Sequence, residues 1–176
     1  SALQIPESDI RAYETDGVVC LRGLFDRAWI DRMVAATDAV IASGKGRVRE
    51  GTKPGEPGRF YANIFMATWD PEFRAFALQS PAGEIAARLL RQNRVNFFYD
   101  QLFVKEPNTQ APTFWHQDLP YWPFRGGDIV SIWVALTDVS VEGLAKKTGI
   151  GASPLAASAA TSSSGGSMWS HWTRAR

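Results

Sequence analysis

Two histidines are present in the chain, so any chemistry that depends on an imidazole must use His116 or His171. His116 lies two residues before Asp118, and residues two apart on a β-strand project to the same face. The imidazole and the carboxylate can therefore converge on one point. Together with a second imidazole they would form the facial triad that holds non-haem Fe(II) and leaves positions open for a cosubstrate and O₂.

A His-x-Asp pair by itself is weak support for an iron site. An ordinary histidine with an aspartate neighbour is common, and a zinc site is a rival, although the chain offers only Cys20 as a thiol ligand. The surroundings favour a pocket, because aromatic residues and prolines crowd the pair: Trp115, Pro120, Tyr121, Trp122, Pro123 and Phe124. Such residues suit a pocket wall, with core packing as the alternative, and we assign Tyr121 and Trp122 to the substrate pocket.

Three stretches of the chain resemble the phytanoyl-CoA dioxygenase family. The run 116–119 (HQDL), followed by Tyr121, the run 123–125 (PFR) and the strand that contains Trp133, resembles the family's metal motif and its surroundings. The segment 16–23 (DGVVCLRG) resembles its N-terminal segment, and 100–105 (DQLFVK) resembles the strand that precedes the motif. The resemblance extends over about residues 10–142.

The resemblance implies a dioxygenase that depends on Fe(II), 2-oxoglutarate and O₂, built on a double-stranded β-helix (jelly-roll) core. It implies that His116 and Asp118 are two of three protein ligands to iron, and that Gln101, Thr113 and Trp133 contact 2-oxoglutarate. Relatives that halogenate have a small residue in place of the carboxylate, so Asp118 favours hydroxylation. The substrate is expected to be a small molecule.

The end of the chain departs from the family pattern. The family has its third ligand, a histidine, on a late strand, and further on an arginine that pairs with the distal carboxylate of 2-oxoglutarate. Here His171 is the one remaining histidine and Arg174 follows three residues later. Because spacing and surroundings differ, an incidental histidine is favoured over a third ligand. The alternative function is a catalytically incompetent fragment, or a non-enzymatic binding protein on the same fold.

The composition also changes at Glu142. No acidic residue follows it, and Ser, Ala, Gly and Thr fill most of positions 143–176. We divide the chain into residues 1–142, the N-terminal region and first part of the oxygenase domain, and 143–176, an atypical Ser/Ala/Gly-rich tail. The tail is interpreted as an out-of-frame or foreign end, with a natural flexible tail as the alternative. An incomplete jelly roll would leave the strand around 129–136 without a partner, and self-association is expected.

The composition of the whole chain excludes several classes of protein. Its 176 residues are 45% hydrophobic and 21% charged, which is typical of a globular domain rather than a coiled coil or a disordered chain. A net charge of +1 gives no reason to expect nucleic acid or an anionic membrane. No apolar run approaches the roughly 18 residues of a membrane span, and no signal peptide is recognised. One cysteine fits a reducing compartment, so a cytoplasmic location is expected.

Helices are predicted before strands, which indicates an α+β fold. The predicted helices are 9–15, ended by Gly17; one from an Asp26 N-cap to Gly44; and two that open at Asp70-Pro71 and Ser80-Pro81. Strands are predicted at 18–21, 59–66, from 94 onward with Val95, Phe97, Tyr99, Gln101 and Phe103 on one face, at 113–118, and at 128–138 as a central strand.

The loop 44–58 is rich in glycine, proline and basic residues. Its Gly-x₄-Gly spacing lacks the Gly-Lys-Ser/Thr order of a phosphate-binding loop, so a lid or a plain surface loop is predicted. Arg47, Arg49 and Lys53 are candidates to meet an anionic substrate. Cys20 is predicted to be a buried small hydrophobic residue.

Overall fold

The computed structural model describes residues 3–111, 118–123, 128–137 and 165–174. Within these residues helices come first and an antiparallel sheet follows, as an α+β fold requires. The helices are α1 (Glu7–Asp16), α2 (Arg27–Ser43), α3 (Pro71–Gln79) and α4 (Ala82–Leu89). The strands are β1 (Arg49–Glu50), β2 (Phe60–Ile64), β3 (Val95–Lys105), β4 (Ile129–Ala135) and β5 (Gly165–Arg174), with 3₁₀ turns at Met66–Thr68 and Leu119–Tyr121.

The predicted helix boundaries are largely confirmed by their caps. The Asp26 carboxylate accepts a hydrogen bond from the Trp29 N–H at 2.8 Å, and Gly44 ends α2 with a φ of +64°. The Asp70 carboxylate accepts from two N–H groups at the start of α3. The Ser80 hydroxyl accepts from the Ala82 N–H at 3.2 Å, so α4 begins just after Pro81.

The strand predicted at 18–21 is wrong. These residues form no regular element, although Val19 and Leu21 pack against the core from its periphery. The apolar run therefore indicates partly buried side chains, not a strand that pairs with a neighbour through hydrogen bonds. Cys20 lies in this segment and is half-buried, not fully buried as predicted.

The sheet has the strand order β1-β2-β3-β5-β4 with antiparallel pairing throughout. β5, which comes from the segment beyond residue 142, lies between β3 and β4. The strand β4 therefore has a partner, contrary to our expectation. It was predicted to be central, but it is the edge strand at one end of the described sheet. The domain boundary at 142 itself stays a prediction.

The core lies between the helices and one face of the sheet. Leu102 of β3, Val130 of β4 and Met168 of β5 are each at most 2% exposed on this face. A Cβ added to Gly83 of α4 would lie 3.2 Å from the Trp172 ring, so the helix packs very closely on β5. No helix within the described residues has the length and apolarity needed to cross a membrane.

A β-bulge in β3 changes which residues share a face. The register shifts between Phe97 and Tyr99: Phe97 lies opposite Trp172, whereas Tyr99 lies opposite His171. Phe97 therefore packs on the core with its ring 5.2 Å from the Trp172 ring. The predicted single face from Val95 to Phe103 is wrong, because Val95 and Phe97 lie on the core side while Tyr99, Gln101 and Phe103 occupy the opposite, open face.

Candidate functional site

The open face of the sheet brings together two residues predicted to contact the cosubstrate. Gln101 of β3 and Trp133 of β4 are both register partners of Trp169 on β5. Adjacent strands lie roughly 4.8 Å apart, so the backbones at these two positions are about 10 Å from each other. Both side chains are half-buried. Residues separated by 32 positions in sequence thus flank one strand on the same face.

The next row of the same sheet contains the position of the second histidine. His171 lies opposite Tyr99 on one side and Ser131 on the other. The fold thus brings position 171 beside the row of Gln101 and Trp133 instead of leaving it in a detached tail. This placement follows from the strand register alone.

The segment 118–123, which contains Asp118, is joined to Tyr99. The Trp122 indole N–H donates a hydrogen bond to the Tyr99 hydroxyl at 3.2 Å, which ties the segment 118–123 to β3. Burial raises the pKa of the Tyr99 phenol; the hydrogen bond from Trp122 lowers it, and the nearby charge of Asp118 raises it. The segment that contains Asp118 therefore lies beside β3.

The remaining predicted site residues are distributed differently. His116 and Thr113 lie outside the described residues. Trp122 is half-buried against Tyr99, whereas Tyr121 is 77% exposed. The described part of the chain contains no group of three histidine, cysteine or acidic side chains that could hold a metal ion.

Asp100 is a buried carboxyl group whose environment was not predicted. It is 2% exposed on the core face of β3 and accepts a hydrogen bond from the Ala67 N–H at 3.0 Å. Burial raises the pKa of Asp100 to about 7, against the opposing effect of the backbone N–H groups that include those of Ala67 and Met66. A charged residue that alternates with Leu102 and Val104 was the available signal in the sequence.

A cavity of about 230 Å³, wide open to solvent, adjoins this open face. It is lined by Gly46, Arg47, Ile64, Phe65, Thr68 and Trp69. Ile64 is the register partner of Gln101, and the Phe65 ring lies 5.2 Å from the Tyr99 ring. The cavity therefore shares a wall with the rows that carry the predicted site residues.

Phe65 adopts an unusual backbone conformation at this cavity. Its φ of +64° is in the left-handed region, which costs a bulky residue about 1–3 kcal/mol. Hydrogen bonds maintain it: the Phe65 N–H donates to the Asp100 carbonyl at 3.0 Å, and the Thr68 hydroxyl donates to the Phe65 carbonyl at 2.7 Å. Strained residues of this kind cluster at functional sites.

Several solved structures are similar to this chain. The epimerase SnoN, in complex with Fe³⁺, alpha ketoglutarate and nogalamycin RO, is 18% identical, with a TM-score of 0.74 over 96% of this chain and 83% of SnoN. The carbocyclase SnoK from nogalamycin biosynthesis is 18% identical, with a TM-score of 0.67 over 98% and 78%. EctD from S. alaskensis with bound Fe is 16% identical, with a TM-score of 0.63 over 100% and 74%.

These similarities confirm the predicted α+β fold and are consistent with its double-stranded β-helix core. No match was found among curated proteins. A model of the phytanoyl-CoA dioxygenase (PhyH) family matches residues 13–143, which is most of the chain. The chain belongs to the phytanoyl-CoA dioxygenase family, whose members are non-haem iron enzymes that use 2-oxoglutarate and O₂.

Proposed function

We propose that the chain is an Fe(II)- and 2-oxoglutarate-dependent hydroxylase that acts on a small molecule. The observation that supports this best is that Gln101 and Trp133 flank β5 in one row of the open face, while the Trp122–Tyr99 hydrogen bond joins the segment 118–123, which contains Asp118, to the adjoining row. The arrangement gathers predicted contacts for a cosubstrate and a candidate metal ligand on one face. The proposed reaction is a hydroxylation of the phytanoyl-CoA dioxygenase type.

The two proposed protein donors are of types that bind iron. An imidazole from His116 and a carboxylate from Asp118 are the ligand types of a two-histidine, one-carboxylate site, and a cytoplasmic setting would keep the iron reduced. Bound iron would supply the centre at which 2-oxoglutarate and O₂ react. Asp118 would offer its carboxylate, and the Trp122–Tyr99 hydrogen bond would fix the segment that follows it.

The other residues would bind and orient the cosubstrate. Gln101 can donate and accept hydrogen bonds through its amide, whereas Trp133 supplies a flat apolar surface. Because both are half-buried, they can contact a ligand while restricting the access of water. Thr113 is proposed as a further contact, and Tyr121 and Trp122 as walls of the substrate pocket.

The test is succinate formation from 2-oxoglutarate with Fe(II) in air. We expect His116→Ala and Asp118→Ala to lower the rate by at least about 100-fold, more than the loss of supporting residues around a metal site usually costs. His171→Ala is the matched histidine variant, and an equal loss there would identify His171 as the third protein ligand.

Binding of 2-oxoglutarate should be measured on the same samples. If the wild-type chain binds 2-oxoglutarate but forms no succinate, the hydroxylase proposal is wrong. The alternative, a catalytically incompetent or purely binding protein on this fold, would then hold.

A further inference from the structure

We propose that the cavity beside Phe65 is a subsite for the carboxylate end of the substrate, with Arg47 as the residue that recognises it. The ligand class is a small organic acid whose carboxylate is attached to an aromatic or otherwise apolar body. The inference rests on the proposed function for the role of substrate, but the binding itself requires neither iron nor turnover.

The lining of the cavity matches this class of ligand. Ile64, Phe65 and Trp69 provide apolar surface, and Arg47 is the charged residue among those that line it. A volume of about 230 Å³ is below the roughly 300–1,000 Å³ of pockets that enclose a whole drug-sized ligand. The cavity therefore suits one end of a molecule, of about the size of a benzoate group.

Arg47 is exposed, and its guanidinium contacts an aromatic ring rather than a carboxylate. Its Cζ lies over the Phe65 ring at 5.1 Å from the centroid, and such a contact uses none of the guanidinium's N–H donors. Among the described residues no acidic group pairs with Arg47, whereas Arg59 is bound by Glu50. The donors of Arg47 can thus be directed to a carboxylate in the bidentate geometry that arginine favours.

The loop that carries Arg47 is fixed against β2. The Asn63 side chain is fully buried, and its amide donates a hydrogen bond to the Lys45 carbonyl at 2.9 Å. Gly46 has a φ of +97°, and a Cβ at this position would lie 2.6 Å from Asn63 Oδ1. Only glycine fits there, and the close approach sets where Arg47 enters the cavity.

Aromatic contacts connect the subsite to the proposed reaction centre. Phe65 contacts both Arg47 and Tyr99, so the guanidinium carbon is no more than about 10 Å from the centre of the Tyr99 ring. The Trp122–Tyr99 hydrogen bond joins the segment that contains Asp118 to the same tyrosine. A substrate anchored at Arg47 would therefore extend its apolar body along Phe65 toward Asp118.

The experiment compares benzoate with benzamide, which has nearly the same shape but no charge, by ligand-observed saturation-transfer NMR on the full chain without added metal. We expect benzoate to bind about 10-fold more tightly than benzamide. Arg47→Gln should abolish that preference, and Arg47→Lys should restore part of it. Arg49, which the sequence also offered as a candidate to meet an anionic substrate, lies in β1 and does not line the cavity. Arg49→Gln is therefore the matched control: it removes the same charge two positions away and should leave the preference intact.

Gly46→Ala provides a second test that keeps the charge of Arg47. We expect it to weaken benzoate binding while far-ultraviolet circular dichroism stays that of the wild type, because the added Cβ displaces the loop. Equal binding of benzoate and benzamide to the wild type, or an equal loss in Arg49→Gln, would overturn the proposal. So would displacement of benzoate by 2-oxoglutarate that depends on Arg47, since the cavity would then belong to the cosubstrate.

The two proposals fail separately. Benzoate binding that depends on Arg47, in a chain that forms no succinate, overturns the hydroxylase function and leaves the anion subsite in place. Succinate formation without selective benzoate binding supports the hydroxylase function and overturns the anion subsite.

Discussion

The two faces of the sheet are built from alternating residues of the same strands but have different surroundings. On the core face Leu102, Val130 and Met168 are almost completely excluded from solvent by the helices. On the open face Tyr99, Gln101 and Trp133 remain half-buried. The core face thus serves packing, whereas the open face has side chains with polar groups that a ligand can still reach.

The bulge in β3 changes which residues of the strand face the core and which face the open side. Without the register shift after Phe97, alternate residues of β3 would all share one face, so Phe97, Tyr99 and Gln101 would point the same way. With the shift, Phe97 faces the core while Tyr99 and Gln101 share the open face. One extra residue therefore lets the same strand supply aromatic packing to the core and a phenol to the candidate site. Bulges commonly serve this purpose near functional sites.

The difference between the core face and the open face is tested most strongly by removing a core side chain from β5. Met168 is 1% exposed and lies opposite Leu102, so Met168→Ala should lower the free energy of unfolding by about 2–5 kcal/mol. Gln101→Ala, on the open face, should lower it by less than about 1 kcal/mol. Urea denaturation monitored by tryptophan fluorescence measures both.

The same pair of variants tests whether the segment beyond residue 142 belongs to the fold. Similar small effects for Met168→Ala and Gln101→Ala would mean that β5 does not complete the sheet. The Ser/Ala/Gly-rich region would then be a tail in structure as well as in composition.

The sequence predicted the helices well because each has a local start or stop signal. Asp26, Gly44 and Asp70 act through hydrogen bonds or backbone angles within a few residues. The position of β5 could not be predicted in this way. Its core face alternates Met168, Ser170 and Trp172, so a buried serine interrupts the apolar pattern that marks a strand.

The candidate site was predictable in part. Gln101, Asp118 and Trp133 were predicted from the resemblance to the family, and their roles stay predictions. The sheet register places Gln101 and Trp133 in one row, on either side of β5. The sequence did not predict the bulge, because Phe97, Phe98 and Tyr99 are consecutive aromatic residues that suit either face of the sheet. The cavity at Arg47 depends on a close approach of Gly46 to Asn63, which no spacing rule encodes.

The second prediction concerns how the buried carboxyl group of Asp100, on the core face, makes the free energy of unfolding depend on pH. Asp100 has a pKa near 7 when folded and an ordinary value of 3.8, so the folded chain retains a proton that the unfolded chain loses between these values. The free energy of unfolding should therefore decrease as the pH rises from about 4 to 7, by a few kcal/mol, since one pKa unit corresponds to about 1.4 kcal/mol.

Asp100→Asn should remove this part of the pH dependence. Its free energy of unfolding, measured in urea at intervals between pH 4 and 8, should decrease less steeply than that of the wild type. Parallel curves for the two proteins would show that Asp100 is not buried as an acid, and that the core face tolerates its charge.

The smallest effect is expected on the open face, where one hydrogen bond joins Trp122 to Tyr99. Tyr99→Phe keeps the ring against Phe65 but removes the acceptor, and Trp122→Phe removes the donor. Each should lower the free energy of unfolding by about 1 kcal/mol, and the double variant by less than the sum, because the shared bond is lost only once. Additive losses would mean that the bond does not hold the segment after Asp118 to β3, and the open face would lose its link to the proposed metal ligand.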